Sequence, residues 1–252
     1  MGLTIKKSSI FALSIFILVI LILYDPRGWI LPEPFGVTNT AISIAISYLF
    51  YDIEGFVGLQ EVYEHLNTIS NSSNYFSNYY NHLGGFIYAF DNIEQLKEYN
   101  KIISQAIAES KNLIISDKEN VHTYQNDIGY PLYIILSFLL FGLNLKSITI
   151  LFLSILIFSS LVFMINFHKN NVYFFLLQTF LFALTIVIIG NYGGNVQIVS
   201  IGNQRFISIL SIIPTLHLSL VFLNKNEINF KSLFSAVLQL LIIVFLIQVR
   251  GI

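Results

Sequence analysis

An all-α, polytopic membrane protein is predicted, with about five transmembrane helices and a helical extracytoplasmic first loop domain. Three observations predict it. The chain is 55% hydrophobic and only 11% charged, against about 25% charged residues in a soluble domain. Its mean hydropathy is +0.73. Thirteen of its fourteen carboxylates lie between Asp25 and Asp127, and the 125 residues that follow carry only Glu227. A polar, acid-bearing segment is therefore set against an apolar half suited to lipid.

Apolar runs long enough to cross roughly 30 Å of hydrocarbon mark the spans. The first, residues 10–24, follows Lys6 and Lys7 and resembles a signal peptide, but no small-x-small cleavage site comes after it. The chain turns instead at Asp25-Pro26-Arg27-Gly28, so residues 1–24 are read as an uncleaved signal anchor. Further spans fall at 145–167, 172–190, 206–223 and 233–249, which makes residues 145–252 a membrane domain of four helices. Lys6, Lys7, His168-Lys169, Lys225 and Lys231 all share one side if the acidic segment lies on the other. By the positive-inside rule that side is cytoplasmic, so the N-terminus is inside and residues 25–130 are extracytoplasmic. A bacterial inner (plasma) membrane is the expected location.

Two apolar stretches are too short to cross. Residues 131–144 break at Gly142-Leu143-Asn144 and read as an interfacial helix leading into a span. Residues 41–51 either lie on the membrane or pack inside the external domain.

Within the external segment, Asp91-Asn92-Ile93-Glu94 opens a helix as an N-cap with an acid three residues on. Ile93, Leu96, Tyr99, Ile103 and Ile107 form its apolar face, opposite Glu94, Lys97, Glu98 and Lys101. Residues 55–66 are a second expected helix. Residues 71–81, rich in Asn, Ser and Tyr, read as loop, and Gly84-Gly85 as a turn. No strand-rich pattern and no repeat appears.

Several function classes are excluded or disfavoured. The net charge of −1 gives no case for nucleic acid, and the absence of cysteine removes thiolate chemistry and disulfides. The five histidines show no ligand spacing. No Walker motif points to a nucleotide-driven pump. No acid falls within a predicted span, which argues against a proton-coupled transporter.

The most specific local feature is Asn126-Asp127-Ile128-Gly129-Tyr130-Pro131-Leu132, where the external segment returns to the membrane. Pro131 suits a first helical turn and Asp127 could cap that helix, which is a structural reading of the motif. Together with the single N-terminal span, the large first external loop and the Phe141-Gly142 that ends the interfacial helix, the motif resembles the GT-C class of membrane glycosyltransferases. That resemblance implies sugar transfer from a polyprenyl-phosphate donor to an acceptor at the outer face. It further implies a carboxylate in the first external loop that takes the proton of the acceptor hydroxyl or holds a divalent metal ion.

On that resemblance the catalytic candidates are Asp52, Glu54 and Asp127, with Asp25 behind them. For Asp52 and Glu54 a solvated helix face is the alternative. The substrate-binding candidates are Tyr130, Arg205, Arg250 and His217. Lys146, Arg205 and Arg250 sit at outer span ends, against the positive-inside tally, and there a guanidinium of Arg205 or Arg250 either grips phosphate oxygens or snorkels to headgroups. His217 lies within a span, as a ligand group or as a neutral ring bonded to a neighbouring helix. The uncharged loop from Asn191 through Gly193-Gly194 to Gln204 either bonds sugar hydroxyls or simply turns the chain. The expected partners are membrane lipids and the lipid-linked sugar donor. With only five spans, the chain reads as the front part of a longer protein. A non-enzymatic membrane protein whose external domain binds a partner, and a lipid or polysaccharide transporter, remain as alternatives.

Overall fold

A computed structural model describes residue 16 and residues 37–72, 93–123, 128–167, 207–223 and 230–250. The predicted spans at 172–190 and, apart from Phe16, at 10–24 lie outside the described residues, as do Asp91 and Gly84-Gly85. Helix accounts for 82% of what is described.

The polar segment opens with helix α1, Val37–Phe50. Ala41, Ile42, Ile44, Ala45 and Ile46 are all buried, so this stretch packs inside the protein, the second of the two readings above. The helix stops at Asp52, whose φ of 54° is left-handed. The Tyr51 and Ile53 amides both return to the Ser47 carbonyl, at 3.1 and 3.4 Å. That places Asp52 just beyond the helix end, closing it in the Schellman manner, and Asp tolerates the left-handed region better than most residues.

After Gly55, whose φ is 86°, comes a short strand the sequence did not announce: β1, Val57–Leu59, pairs antiparallel with β2, Val121–Thr123. The predicted helix at 55–66 therefore starts later, as α2, Gln60–Ser72, and runs through Asn71 and Ser72. β1 is held edge-on by α1, because the Leu59 amide donates to Ser47 Oγ at 2.9 Å and Ser43 Oγ donates to the Leu59 carbonyl at 3.3 Å. Helix α3, Ile93–Glu109, follows the expected pattern, with Ile103 and Ile107 buried and Glu98 and Lys101 exposed. Together with α1 and α2 it forms a cap.

Helix α4, Gly129–Phe141, joins the cap to the apolar helices. It packs on α1 and also on α5, Leu145–Phe167, and α7, Phe230–Arg250. Pro131 occupies its first turn, where its missing amide hydrogen costs nothing. A methyl group on Gly129 would overlap the Gln248 carbonyl and the Val249 amide nitrogen, so α4 touches the backbone of α7 here. One turn on, the buried Tyr133 donates to the Ile148 carbonyl at 3.2 Å and stacks on Phe245 at 6.0 Å.

The apolar helices run antiparallel. Ser159 of α5 meets Gln239 of α7, while Tyr133 bridges Ile148 and Phe245, so numbering rises on one helix as it falls on the other. Helix α6, Ile212–Leu223, preceded by a 3-10 turn over Ser208–Ser211, meets α7 through His217 and Ser235. Leu145, Ile207 and Arg250 thus lie toward the cap end, and Phe167, Leu223 and Phe230 toward the other.

Among the described residues two helices, Leu145–Phe167 and Phe230–Val249, are long and apolar enough to cross a membrane. At about 1.5 Å per residue the first spans about 34 Å. Of the predicted span at 206–223 the described residues show the shorter apolar helix Ile209–Leu223, which changes from 3-10 to α just before Pro214. Only 28% of the α7 window is buried, against 56% for α5. Phe230, Leu233, Val237, Leu240, Val244 and Ile247 face outward at intervals of three and four. This apolar stripe fits a membrane-associated protein rather than a water-facing helix.

Gly129→Ala is expected to lower stability by about 1–3 kcal/mol, the cost of forcing volume into a packed contact. Thermal unfolding in detergent checks this, and an unchanged midpoint would mean that α4 and α7 do not approach backbone to backbone.

Candidate functional site

Asp52 and Glu54 lie together in the exposed turn after α1, and neither is on a helix face. Asp52 is the residue whose left-handed backbone ends α1, a structural role for that position. Tyr130, fully buried in the first turn of α4, belongs to the joint between cap and bundle. Asp127 and Arg205 lie outside the described residues, as does the side chain of Arg250, the last residue of α7. Residue Ile128 stands at the N-cap position of α4, with no side-chain cap bond.

His217 is fully enclosed between α5, α6 and α7, bonded through Nε2 to Ser235 Oγ at 3.0 Å. Ser235 precedes Gln248 by thirteen residues, about 20 Å along the helix. The structure therefore separates His217 from Tyr130 and the turn at Asp52. It does bring Tyr130 to the cap end of the bundle, the end Arg250 also occupies.

Polar groups that the sequence did not single out also take defined places. Glu61 Oε1 accepts from the Ser116 amide at 3.3 Å, Ser116 Oγ at 2.9 Å and the Asp117 amide at 3.3 Å, pinning the loop after α3 to α2. Its own backbone amide is the largest influence holding its carboxyl below the usual range; desolvation opposes this, and Ser116 and Asp117 add to it. Tyr51 Oη donates to the Ser110 carbonyl at 2.7 Å, tying the end of α1 to the same region.

His122 of β2 lies across from Gly58 in the strand register and against Tyr63, with ring centroids 4.6 Å apart. A Cβ at Gly58 would come within 2.6 Å of the His122 ring and 2.7 Å of Ser43 Oγ, so the absent side chain makes room for both. Deeper in the bundle, Ser159 Oγ donates to Gln239 Oε1 and Gln239 Nε2 donates to the Ser159 carbonyl, each at 2.8 Å. Gln239, one of two Gln inside the apolar run 233–249, was the available signal for that clamp.

Among the described residues no group of three or more His, Asp or Glu side chains is placed to hold a metal ion. No family model, curated protein or solved structure matches this chain.

If the backbone alone accounts for Asp52, Asp52→Gly will keep or raise stability while Asp52→Val will lose about 1–2 kcal/mol, the left-handed penalty. Equal losses in both variants would mean that the carboxylate itself matters to the fold.

Burial holds the His122 imidazole below its usual range, opposed by a backbone bond with Thr40. The folded chain thus favours the neutral ring, and the unfolded chain binds the extra proton. Cap stability should be whole above about pH 6.5 and fall as the pH drops below it toward the folded value. Amide exchange at Leu59 followed through this window would show the slope, and His122→Gln should flatten it; an equal slope in the variant would clear His122 of the effect.

Proposed function

We propose that this chain is a polytopic protein of a bacterial plasma membrane that transfers a sugar from a polyprenyl-phosphate donor to an acceptor at the outer face. Its N-terminus is cytoplasmic and its acid-bearing segment extracytoplasmic in this reading. The single observation that carries the membrane part is the outward apolar stripe along Phe230–Arg250. Lys231 stands at the end of the bundle opposite the cap while Lys146 and Arg250 stand at the cap end, so the orientation rests on the tally of Lys6, Lys7, Lys169, Lys225 and Lys231 along the sequence. The chain also leaves α5 at the end opposite the cap and enters α6 toward the cap end. The 39 residues numbered 168–206 must join the two, and the crossing predicted at 172–190 is long enough to do so.

The transfer part rests on the resemblance carried by Asp127 to Leu132 and by Phe141-Gly142. In that reading Glu54 or Asp127 takes the acceptor hydroxyl proton as the bond between sugar and phosphate breaks. Tyr130 and Arg250 stand at the cap end, where a donor phosphate in the outer leaflet would lie.

A second reading, an external domain that recruits a partner without chemistry, is favoured by the work the described acids already perform. Asp52 ends a helix and Glu61 holds a loop.

One experiment separates these readings. The chain has no cysteine, so Lys118→Cys and Lys231→Cys each report topology cleanly. An impermeant maleimide should label Lys118→Cys in intact cells and Lys231→Cys only after lysis; the reverse result would overturn the orientation. In membranes so oriented, Glu54→Gln and Asp127→Asn should each cut transfer from polyprenyl-phosphate sugar at least tenfold. Full transfer in both would remove these acids from the chemistry, and no transfer in the unaltered chain would leave the recruiting role.

A further inference from the structure

A seam of small polar side chains runs between α5, α6 and α7 in the half of the bundle nearer Phe230. On α7, Ser232, Ser235 and Gln239 follow at intervals of three and four and so share one face. Gln239 is closed on Ser159 by two hydrogen bonds. His217 is the group left over.

The direction of its one contact follows from where the Ser235 hydroxyl hydrogen goes. Ser235 has one hydroxyl hydrogen, donated to the Ser232 carbonyl at 2.8 Å. With the Ser235 hydrogen so placed, the ring donates the 3.0 Å contact from Nε2 to Ser235 Oγ. In that tautomer Nδ1 presents a lone pair. Nδ1 is enclosed and has no partner among the described residues. Phe163 and Phe167 meet the ring edge-on at 5.6 and 5.1 Å and bring no donor. A buried acceptor with no donor is costly, and structures rarely leave one so.

A second proton is a poor occupant. Residues 1–24 and 128–226 contain no Asp or Glu, so no helix drawn from them supplies a counter-ion. Glu227 is the one acid in residues 128–252 and lies outside the described residues. An imidazolium here would be an uncompensated charge among apolar helices.

We propose that His217 Nδ1 is an acceptor site for a small neutral hydrogen-bond donor, a hydroxyl of water or of a lipid headgroup entering from the Phe230 end. Ser232 and Ser235 retain slight exposure there, at 8% and 7%, whereas His217 and Gln239 have none. The site lies far from the outer face and stands whether or not the chain transfers sugar.

The test is nitrogen-15 spectroscopy of imidazole-labelled full-length chain in two nanodiscs. One is made of phosphatidylglycerol, whose headgroup carries hydroxyls, and the other of phosphatidylcholine, whose headgroup carries none. The His217 signal is assigned in a chain with His65, His82, His122 and His168 changed to Gln. Should that chain not fold, loss of the signal in His217→Gln assigns it instead. An Nε2-protonated ring with a hydrogen-bonded Nδ1 is expected. Magnetisation from water in both lipids identifies water, and a hydrogen-bonded Nδ1 found only in phosphatidylglycerol identifies the headgroup hydroxyl. A bare Nδ1 in both lipids overturns the proposal. So does an imidazolium, or a hydrogen-bonded Nδ1 in phosphatidylcholine that receives nothing from water, since the donor would then be the chain itself.

Discussion

The absence of a side chain at Gly129 is the constraint on which the arrangement of this molecule depends. Because nothing projects from that position, the first turn of α4 lies directly on the Gln248–Val249 peptide at the end of α7. Tyr133, one turn later, then reaches the Ile148 carbonyl on α5 and the Phe245 ring on α7 together. Helix α4 also packs on α1, so the cap's seat on the bundle depends on how closely two backbones approach. The buried residues form one continuous cluster from Ala41 to Val249 as a result.

A second constraint governs the apolar helices. In surroundings without water, each polar group must find its partner within the protein. The serines solve this locally. Ser154, Ser160 and Ser219 each donate to the carbonyl four residues back, to Ile150, Leu156 and Thr215, all within 2.9 Å. A hydroxyl so bonded places no demand on a neighbouring helix. Gln239 has both a donor and an acceptor to satisfy, and Ser159 answers both from α5. That reciprocal pair fixes the register of α5 against α7 more narrowly than apolar packing does, because a shift of one residue would bury both groups unpaired.

These physical differences also explain what the sequence made legible. The helices at 145–167 and 230–250 were readable because length and unbroken hydropathy are properties of a single segment. Ile103 and Ile107 were readable because their spacing is. The strand pair was not, since each strand is three residues long and Gly58 finds His122 from 64 positions away. Nor was the end of α1, where an ordinary-looking Asp-x-Glu hides a left-handed backbone. Of the candidate site, His217 was visible as a polar residue in an apolar run. Its free lone pair was not, because that depends on where one serine proton goes.

The crowding of carboxylates between Asp25 and Asp127 is open to a plainer explanation than chemistry. Charge is excluded from helices suited to lipid, so acids collect in the cap by default. Many of those described then serve the cap itself. Glu64 and Glu109 accept from Gln60 and Gln105 one turn earlier, each at 2.8 Å, and Asp117 Oδ1 accepts the Glu119 amide at 2.8 Å. With Glu61 on its loop and Asp52 at its helix end, five of the nine described acids take such a place. Of the two catalytic candidates described, Glu54 neither ends the helix nor holds the loop, so replacing it separates chemistry from folding more cleanly than replacing Asp52 does. The asymmetry of charge along the chain is accounted for without chemistry and adds nothing to the case for catalysis.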